Sequence, residues 1–392
     1  MIVRDEASRI EACLRSVQGF ADQMVVVDTG STDDTMALAQ GLGAEVKQIP
    51  WPGDFAPARN DALQWLQGDW VLVLDADEQL RPEAIAPLRA LMAQPDLLVI
   101  NLLRHERGAI QSPYSNVSRL FRRHPSIRWS RAYHAMIDDS VAELLQREPH
   151  WRIADCPIPA IDHDGYRPEL LAQGNKAERL RQAMEAELQE RPGDPYACAK
   201  LGSLEVAEGQ LDRGLALLKQ GLAQCPADAH PERYELLLHL ALAEAPRNPA
   251  AAAALYRQAL ELPLAPRLTL AARLNLAALL LQQGDHSQAE QLCRRATTTA
   301  PEVALGWYNL GLIRRRAGDL AGALEAYREA RQRNPDHAET HQNLAVALLL
   351  GGDIDGARNS FRQAIQLLGQ QGRGREAEQL RQQAGALVKL EA

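Results

Sequence analysis

The sequence predicts two architectures in tandem: an α/β domain on a Rossmann-like, mostly parallel sheet, then an all-α stack of repeated helix pairs. Two observations predict this. The first part of the chain alternates short β-branched runs with helix start and stop signals, the order expected of a βαβ sheet. In the second part, residues of one type recur at a fixed step of 34 positions, the mark of a solenoid.

In the first part, Gln23–Asp28 (QMVVVD) has the composition of a buried parallel strand and ends in a turn, Thr29-Gly30-Ser31-Thr32-Asp33. Thr32 or Asp33 can cap a helix through Met36–Leu42, with Gly43 as its stop. Glu45–Ile49 is a second strand. Trp70–Leu74 (WVLVL) is a third and runs into Asp75-Ala76-Asp77-Glu78, after which Pro82 suits the first turn of a helix. Leu97–Leu103 is a fourth strand. Open α/β sheets bind ligands at the carboxyl ends of their strands, where both acidic motifs fall.

In the second part, Leu276, Leu310 and Leu344 keep the step of 34, as do Gly284, Gly318 and Gly352, and Ala289, Ala323 and Ala357. Cys293, Tyr327 and Phe361 follow it too, with Ala296, Ala330 and Ala364, while Pro301 and Pro335 close two units. Small residues let paired helices approach closely, the larger side chain fills the gap behind them, and proline ends the second helix. Period and residue types resemble tetratricopeptide repeats. Looser copies lie upstream around Leu201-Gly202 and Leu236. The expected organisation is an α/β domain at 1–167, a linking helix at 168–192, about five repeats over 193–371 and a polar capping helix at 372–392.

Composition excludes several classes. Hydrophobic residues make up 46% of the chain, enough for real cores, so general disorder is out. A net charge of −8 argues against nucleic-acid binding. The five cysteines form no C-x-x-C pair, which argues against a disulfide framework or zinc site and for a reducing cytosol. Apolar runs such as Val71–Leu74 are far too short to span a bilayer, and no secretory leader precedes Arg4-Asp5-Glu6. The expectation is a cytoplasmic protein.

Asp75-Ala76-Asp77 carries the sharpest chemical signal. On an extended strand end, side chains at i and i+2 share a face, so the two carboxylates would converge. Such a pair suits a hard divalent ion, Mg²⁺ or Mn²⁺, shared with substrate phosphates. The same residues would also serve as an acidic turn ahead of the helix at Pro82.

The accompanying motifs favour the first reading. Val25–Asp33, Arg4-Asp5-Glu6, Phe55-Ala56-Pro57-Ala58-Arg59-Asn60, and Gly68-Asp69-Trp70 followed by Leu74–Glu78 resemble family 2 glycosyltransferases, in the same order and at compatible spacing. Arg119-Leu120-Phe121-Arg122, a segment around His134, and His163-Asp164-Gly165-Tyr166 look like that family's later landmarks. The resemblance covers about residues 1–166 and implies a GT-A-like fold, a nucleotide diphosphate sugar as donor, a divalent metal and inversion at the anomeric carbon. It implies that Asp28 and Glu6 lie in the nucleotide site, Asp28 on the uracil or ribose. Asp75 would contact ribose or metal, Asp77 would be the main metal ligand, and Arg59 would lie near the diphosphate. His163 would be a further metal ligand or a diphosphate contact. Where the family often places an acid after the histidine of the His134 segment, this chain has Ala135; Asp138, beside Asp139, is the candidate general base. Family members begin with a fuller first strand than Met1-Ile2-Val3, so the start lies upstream or a central strand is shortened.

Fusion to tetratricopeptide repeats occurs in this family, and the repeats are expected to hold a protein or peptide. The alternatives are a non-catalytic repeat scaffold with a degenerate transferase domain, and a nucleotidylyltransferase. The second lacks its Gly-rich basic phosphate segment here.

Overall fold

A computed structural model describes residues 1–109, 112–131, 135–164 and 176–390. His134, Gly165 and Tyr166, and the boundary placed near Pro168, lie outside the described residues. The chain divides into two compact units, Met1–Leu204 and Glu205–Ala392.

The first unit is α/β. Strand β1 (Ile2–Val3) pairs in parallel with β2 (Val25–Asp28), which pairs in parallel with β3 (Glu45–Gln48). Helices α1 (Ile10–Val17) and α2 (Thr35–Gly41) connect them. All four residues of β2 are buried, as its unbroken Val-Val-Val run requires. Helix α3 (Phe55–Leu63) follows, with the Asp54 side chain accepting from the Ala56 N–H.

A second sheet has the order β4-β7-β6-β8-β5. Its members are β4 (Trp70–Leu72), β5 (Glu78–Leu80), β6 (Leu97–Glu106), β7 (Tyr114–Arg122) and β8 (Arg152–His163). Helix α4 (Pro82–Met92) starts on Pro82, and α5 (Asp138–Arg147) lies between β7 and β8. The α/β class holds, but parallel pairing is limited to β1-β2-β3 and β6-β8; β4, β5 and β7 pair antiparallel. β6 ends at Glu106 and β7 begins at Tyr114, too few residues for the crossover that parallel neighbours need. β8, parallel to β6, bulges past Pro157 and Pro159, where Asn101 faces Asp155 but Leu103 faces Pro159.

The five-stranded sheet has a core on each face. Leu97, Ile100, Leu102 and Leu120 pack with Cys13 of α1 and Ala84 and Leu88 of α4. Leu98, Val99 and Phe121 pack with Ala56 of α3 and Val141 and Leu144 of α5. Helix α6 (Lys176–Glu190) comes next, and α7 (Pro195–Ala207) crosses the division between the units.

The second unit is helical: α8 (Leu211–Gln224), α9 (His230–Glu244), α10 (Pro249–Glu261), α11 (Leu270–Gln282), α12 (His286–Thr299), α13 (Ala304–Arg316), α14 (Leu320–Arg333), α15 (Ala338–Leu350), α16 (Ile354–Gln370) and α17 (Gly374–Gly385). The 34-residue step has a physical basis at each hairpin. Gly284, Gly318 and Gly352 adopt φ of +84°, +87° and +84°, a conformation side chains disfavour. The aspartate after each glycine caps the next helix: Asp285, Asp319 and Asp353 accept from the N–H groups of Gln288, Gly322 and Gly356. Cys293, Tyr327 and Phe361 are all buried in the interior.

Gly311 shows how tight the packing is. A Cβ added there would lie 2.6 Å from two atoms of the Tyr327 ring, which is fully buried. Alanine would gain about 1 kcal/mol of helix propensity, but overpacking costs about 1–3 kcal/mol. Gly311→Ala is therefore expected to destabilise the repeats, read as a lower thermal unfolding midpoint. A raised midpoint would show that the Tyr327 ring can yield.

Candidate functional site

The site lies on the loops after β2 and β4. Asp28, at the end of β2, is fully buried. Its Oδ1 accepts from the N–H groups of Gly30 and Ser31, both at 3.0 Å, which shapes the turn. Its Oδ2 is buried with no hydrogen-bond partner. The Arg4-Asp5-Glu6 segment is laced to this turn. Ser31 Oγ accepts from Asp5 N, Thr35 Oγ1 from Glu6 N, and Asp33 Oδ2 from Ala7 N. Asp5 has a positive φ of 55° and accepts from Thr32 N at 2.7 Å. That bond helps hold a conformation costly for a non-glycine residue.

Asp75-Ala76-Asp77 is a turn, because β4 ends at Leu72 and Glu78 N donates to Asp75 O. Strand alternation does not apply, and the two carboxylates have different partners. Asp75 accepts from Arg59 Nη2 through Oδ1 and from Arg119 Nη2 through Oδ2, both at 2.8 Å. Asp77 Oδ2 lies 3.4 Å from His163 Nε2 and 3.6 Å from Arg9 Nη1. Of the three residues expected at a metal, Asp77 and His163 come together, while both oxygens of Asp75 are engaged by guanidinium groups.

These residues end a longer chain of charge. Arg119 also reaches Glu78 Oε2 (2.5 Å), and Arg104 joins Glu78 Oε1 (2.7 Å) to Glu106 Oε1 (2.8 Å). Glu106 Oε2 meets His163 Nδ1 at 2.5 Å, and Arg9 meets Glu6 at 2.6 Å. Burial disfavours charge throughout, but the partners prevail. Partial burial raises the Asp75 carboxyl, whose side chain is still 38% exposed, yet Arg119 and Arg59 hold it far below the usual range. Burial likewise opposes ionisation of Glu106, but His163 and Arg104 bring it to about 2. Burial also opposes the His163 cation, and bonds to Asp77 and Glu106 lift it to about 9. Glu6 goes the other way: burial raises it, and Arg9 offsets only part of that.

The His163 shift has a sign that can be checked. A folded pKa of about 9 against 6.5 for the free group gives stability fully present below pH 6.5 and lost as pH rises through 9. In metal-free protein, the stability gap between wild type and His163→Gln is expected to narrow across that window in urea titrations. A constant gap would contradict it.

Arg59 is buried against the Trp129 ring, its Cζ 4.5 Å from the centroid. Its Nε and Nη1 have no hydrogen-bond partner, and burial lowers its pKa. It also lines a cavity of about 730 Å³ with Val25, Leu72 and Trp129. Asn60 bonds the backbone of Trp129 through both ends of its amide (2.9 and 2.7 Å). Asp138 opens α5, exposed to solvent, and accepts from Ser118 Oγ at 3.0 Å; crowding by neighbouring protein atoms pushes its carboxyl upward despite that exposure. Arg9, Arg104 and Glu106 were not legible as site residues. Ending the strand at Leu103 left Arg104 and Glu106 outside it, although strand alternation places them on one face.

Comparison with known proteins matches a family to each part of the chain. The pattern of glycosyl transferase family 2 matches residues 1–153, and patterns of tetratricopeptide repeats match 245–304 and 302–370. The chain belongs to the family 2 glycosyltransferases that carry tetratricopeptide repeats. This transferase is 46% identical over 305 residues to a TPR repeat-containing protein of Synechococcus elongatus, covering 77% of this chain and 75% of that one. It is 34% identical over 130 residues to an uncharacterized glycosyltransferase of Rickettsia bellii, covering 31% of this chain and 44% of the relative. To the SPbeta prophage-derived glycosyltransferase SunS of Bacillus subtilis it is 26% identical over 202 residues, covering 50% and 46%. The matched region thus spans less than half the length of these two glycosyltransferases. Among the described residues, no helix is long and apolar enough to cross a membrane.

Proposed function

We propose that the chain transfers a glycosyl group from a nucleotide diphosphate sugar to an acceptor, with the donor held by the loops after β2 and β4. Two observations carry the reading: Asp28 Oδ2, at the end of β2, is a buried acceptor lacking a donor, and Asp77, on the loop after β4, faces His163 at the end of β8. A nucleobase N–H or ribose hydroxyl would satisfy Asp28. An unpaired buried carboxylate oxygen is otherwise costly. Glu6 lies on the segment laced to the residues that follow Asp28, its N–H donating to Thr35 Oγ1. Arg59 has two unpartnered donors suited to diphosphate oxygens.

Among the described residues no group of three metal-ligating side chains occurs. A carboxylate oxygen and an imidazole nitrogen facing each other still fit Mn²⁺ or Mg²⁺ when substrate phosphates complete the set. Asp77 and His163 would hold that ion, with Asp75 behind them as the carboxylate that fixes Arg59 and Arg119. When bound, the ion would neutralise charge on the departing diphosphate. Asp138 is the candidate base. Exposed at the start of α5, its carboxylate would take the acceptor's proton, and attack by the deprotonated acceptor would invert the anomeric carbon. The repeats would bring a protein or peptide acceptor to the enzyme, and five buried thiols suit a cytosolic setting.

The test is calorimetric titration of UDP and GDP with and without Mn²⁺, on wild type and Asp138→Asn. Metal-dependent binding in both proteins, with turnover lost only in the variant, supports the assignment. Binding of neither nucleotide would leave the non-catalytic scaffold, a reading favoured by the prior engagement of both Asp75 oxygens.

A further inference from the structure

We propose that Glu106 is a positioning residue: it holds His163 so that Nε2 faces Asp77 and is the ring nitrogen available to a metal ion. This rests on the reading of Asp77 and His163 as the metal-holding pair. Four observations support it. Glu106 and His163 are register partners on neighbouring parallel strands, β6 and β8. Glu106 Oε2 meets the Nδ1 side of the ring at 2.5 Å, and Nε2 points to Asp77 Oδ2 at 3.4 Å. Glu106 is itself fixed, since its Oε1 accepts from Arg104 Nε at 2.8 Å and from Ser115 Oγ at 2.5 Å. It is 4% exposed, so water does not compete for the carboxylate.

The chemistry follows from the ring. In the metal-free protein both ring nitrogens of the His163 cation carry protons; when a metal ion displaces the Nε2 proton, the carboxylate keeps the other proton on Nδ1 and leaves the Nε2 lone pair to the ion. Such outer carboxylates also make the ligating nitrogen more basic, and their loss typically weakens metal binding about 10–100-fold. Glu106 reaches neither donor nor acceptor in this scheme. Its effect on the metal passes through His163, while its bonds to Arg104 and Ser115 hold it in place.

The experiment is a double-mutant cycle on Mn²⁺ affinity in the presence of UDP, read from free-ion electron paramagnetic resonance. It uses full-length wild type, Glu106→Gln, Glu106→Leu, His163→Ala, the Glu106→Leu/His163→Ala pair and Asp77→Ala. Glutamine keeps the shape and can still accept from Nδ1, so a smaller loss is expected than for leucine, which should lose about 10–100-fold. The double variant should bind no more weakly than His163→Ala alone. Thermal midpoints run beside each measurement separate structure from positioning. If the Glu106 variants unfold earlier yet bind Mn²⁺ as wild type does, or if the losses add in the double variant, the role is overturned while the metal site stands. If Asp77→Ala binds like wild type, the metal-site reading and this inference fall together. Should the leucine variant not fold, the isosteric glutamine against His163→Ala completes the comparison.

Discussion

Asp77→Asn is expected to lower glycosyl transfer by roughly a thousandfold and to erase the metal-dependent part of nucleotide binding. The substitution keeps size and one acceptor oxygen but removes the charge facing His163 and Arg9. A metal stabilising charge on a leaving diphosphate supplies several kcal/mol of barrier lowering, and about 4 kcal/mol corresponds to that factor. The loss should appear in turnover and in Mn²⁺-linked calorimetry together. Metal-free nucleotide binding through Asp28 should survive, because Asp28, at the end of β2, is held by its own hydrogen bonds. Unchanged Mn²⁺ dependence in the variant would remove Asp77 from the metal.

Arg119→Met is expected to cost about 3 kcal/mol of stability. Arg119 bridges Asp75 and Glu78, and Glu78 is wholly enclosed. Without Arg119, Glu78 would keep only Arg104 among its guanidinium partners, and an under-compensated buried carboxylate is costly. Asp75 matters less, because its side chain is 38% exposed and water can replace part of the lost bond. Adding Glu78→Gln to the variant should recover part of the loss in urea unfolding. No recovery would locate the cost in packing of the arginine stem.

Much of this organisation was legible in the sequence, for a physical reason. Val25–Asp28 is buried all round, so its β-branched run needed no tertiary information, and Pro82 began its helix as expected. The repeats were legible because each hairpin reuses one turn and one cap. β7 and β8 were not. β7 has a polar middle, Ser115-Asn116-Val117-Ser118, and β8 contains two prolines that argue against a strand until the bulge is seen. The acidic motif was legible as chemistry but not as geometry. Its alternation presumed a strand, whereas the turn at Asp75–Glu78 directs Asp75 to arginines and Asp77 to His163. The charge chain from Arg59 to Glu6 links residues far apart in sequence, and local spacing gives no hint of such pairings.

The repeated Gly-Asp turn has a consequence for how this chain can vary in length. Excising residues 319–352 would join Gly318 to Asp353, recreating the same dipeptide, left-handed glycine and aspartate cap. Inserting a copy at the same point would do likewise. Whole cassettes can be dropped or duplicated without a new seam, so the span of the helical array is free to change while the transferase ahead of it keeps its sequence.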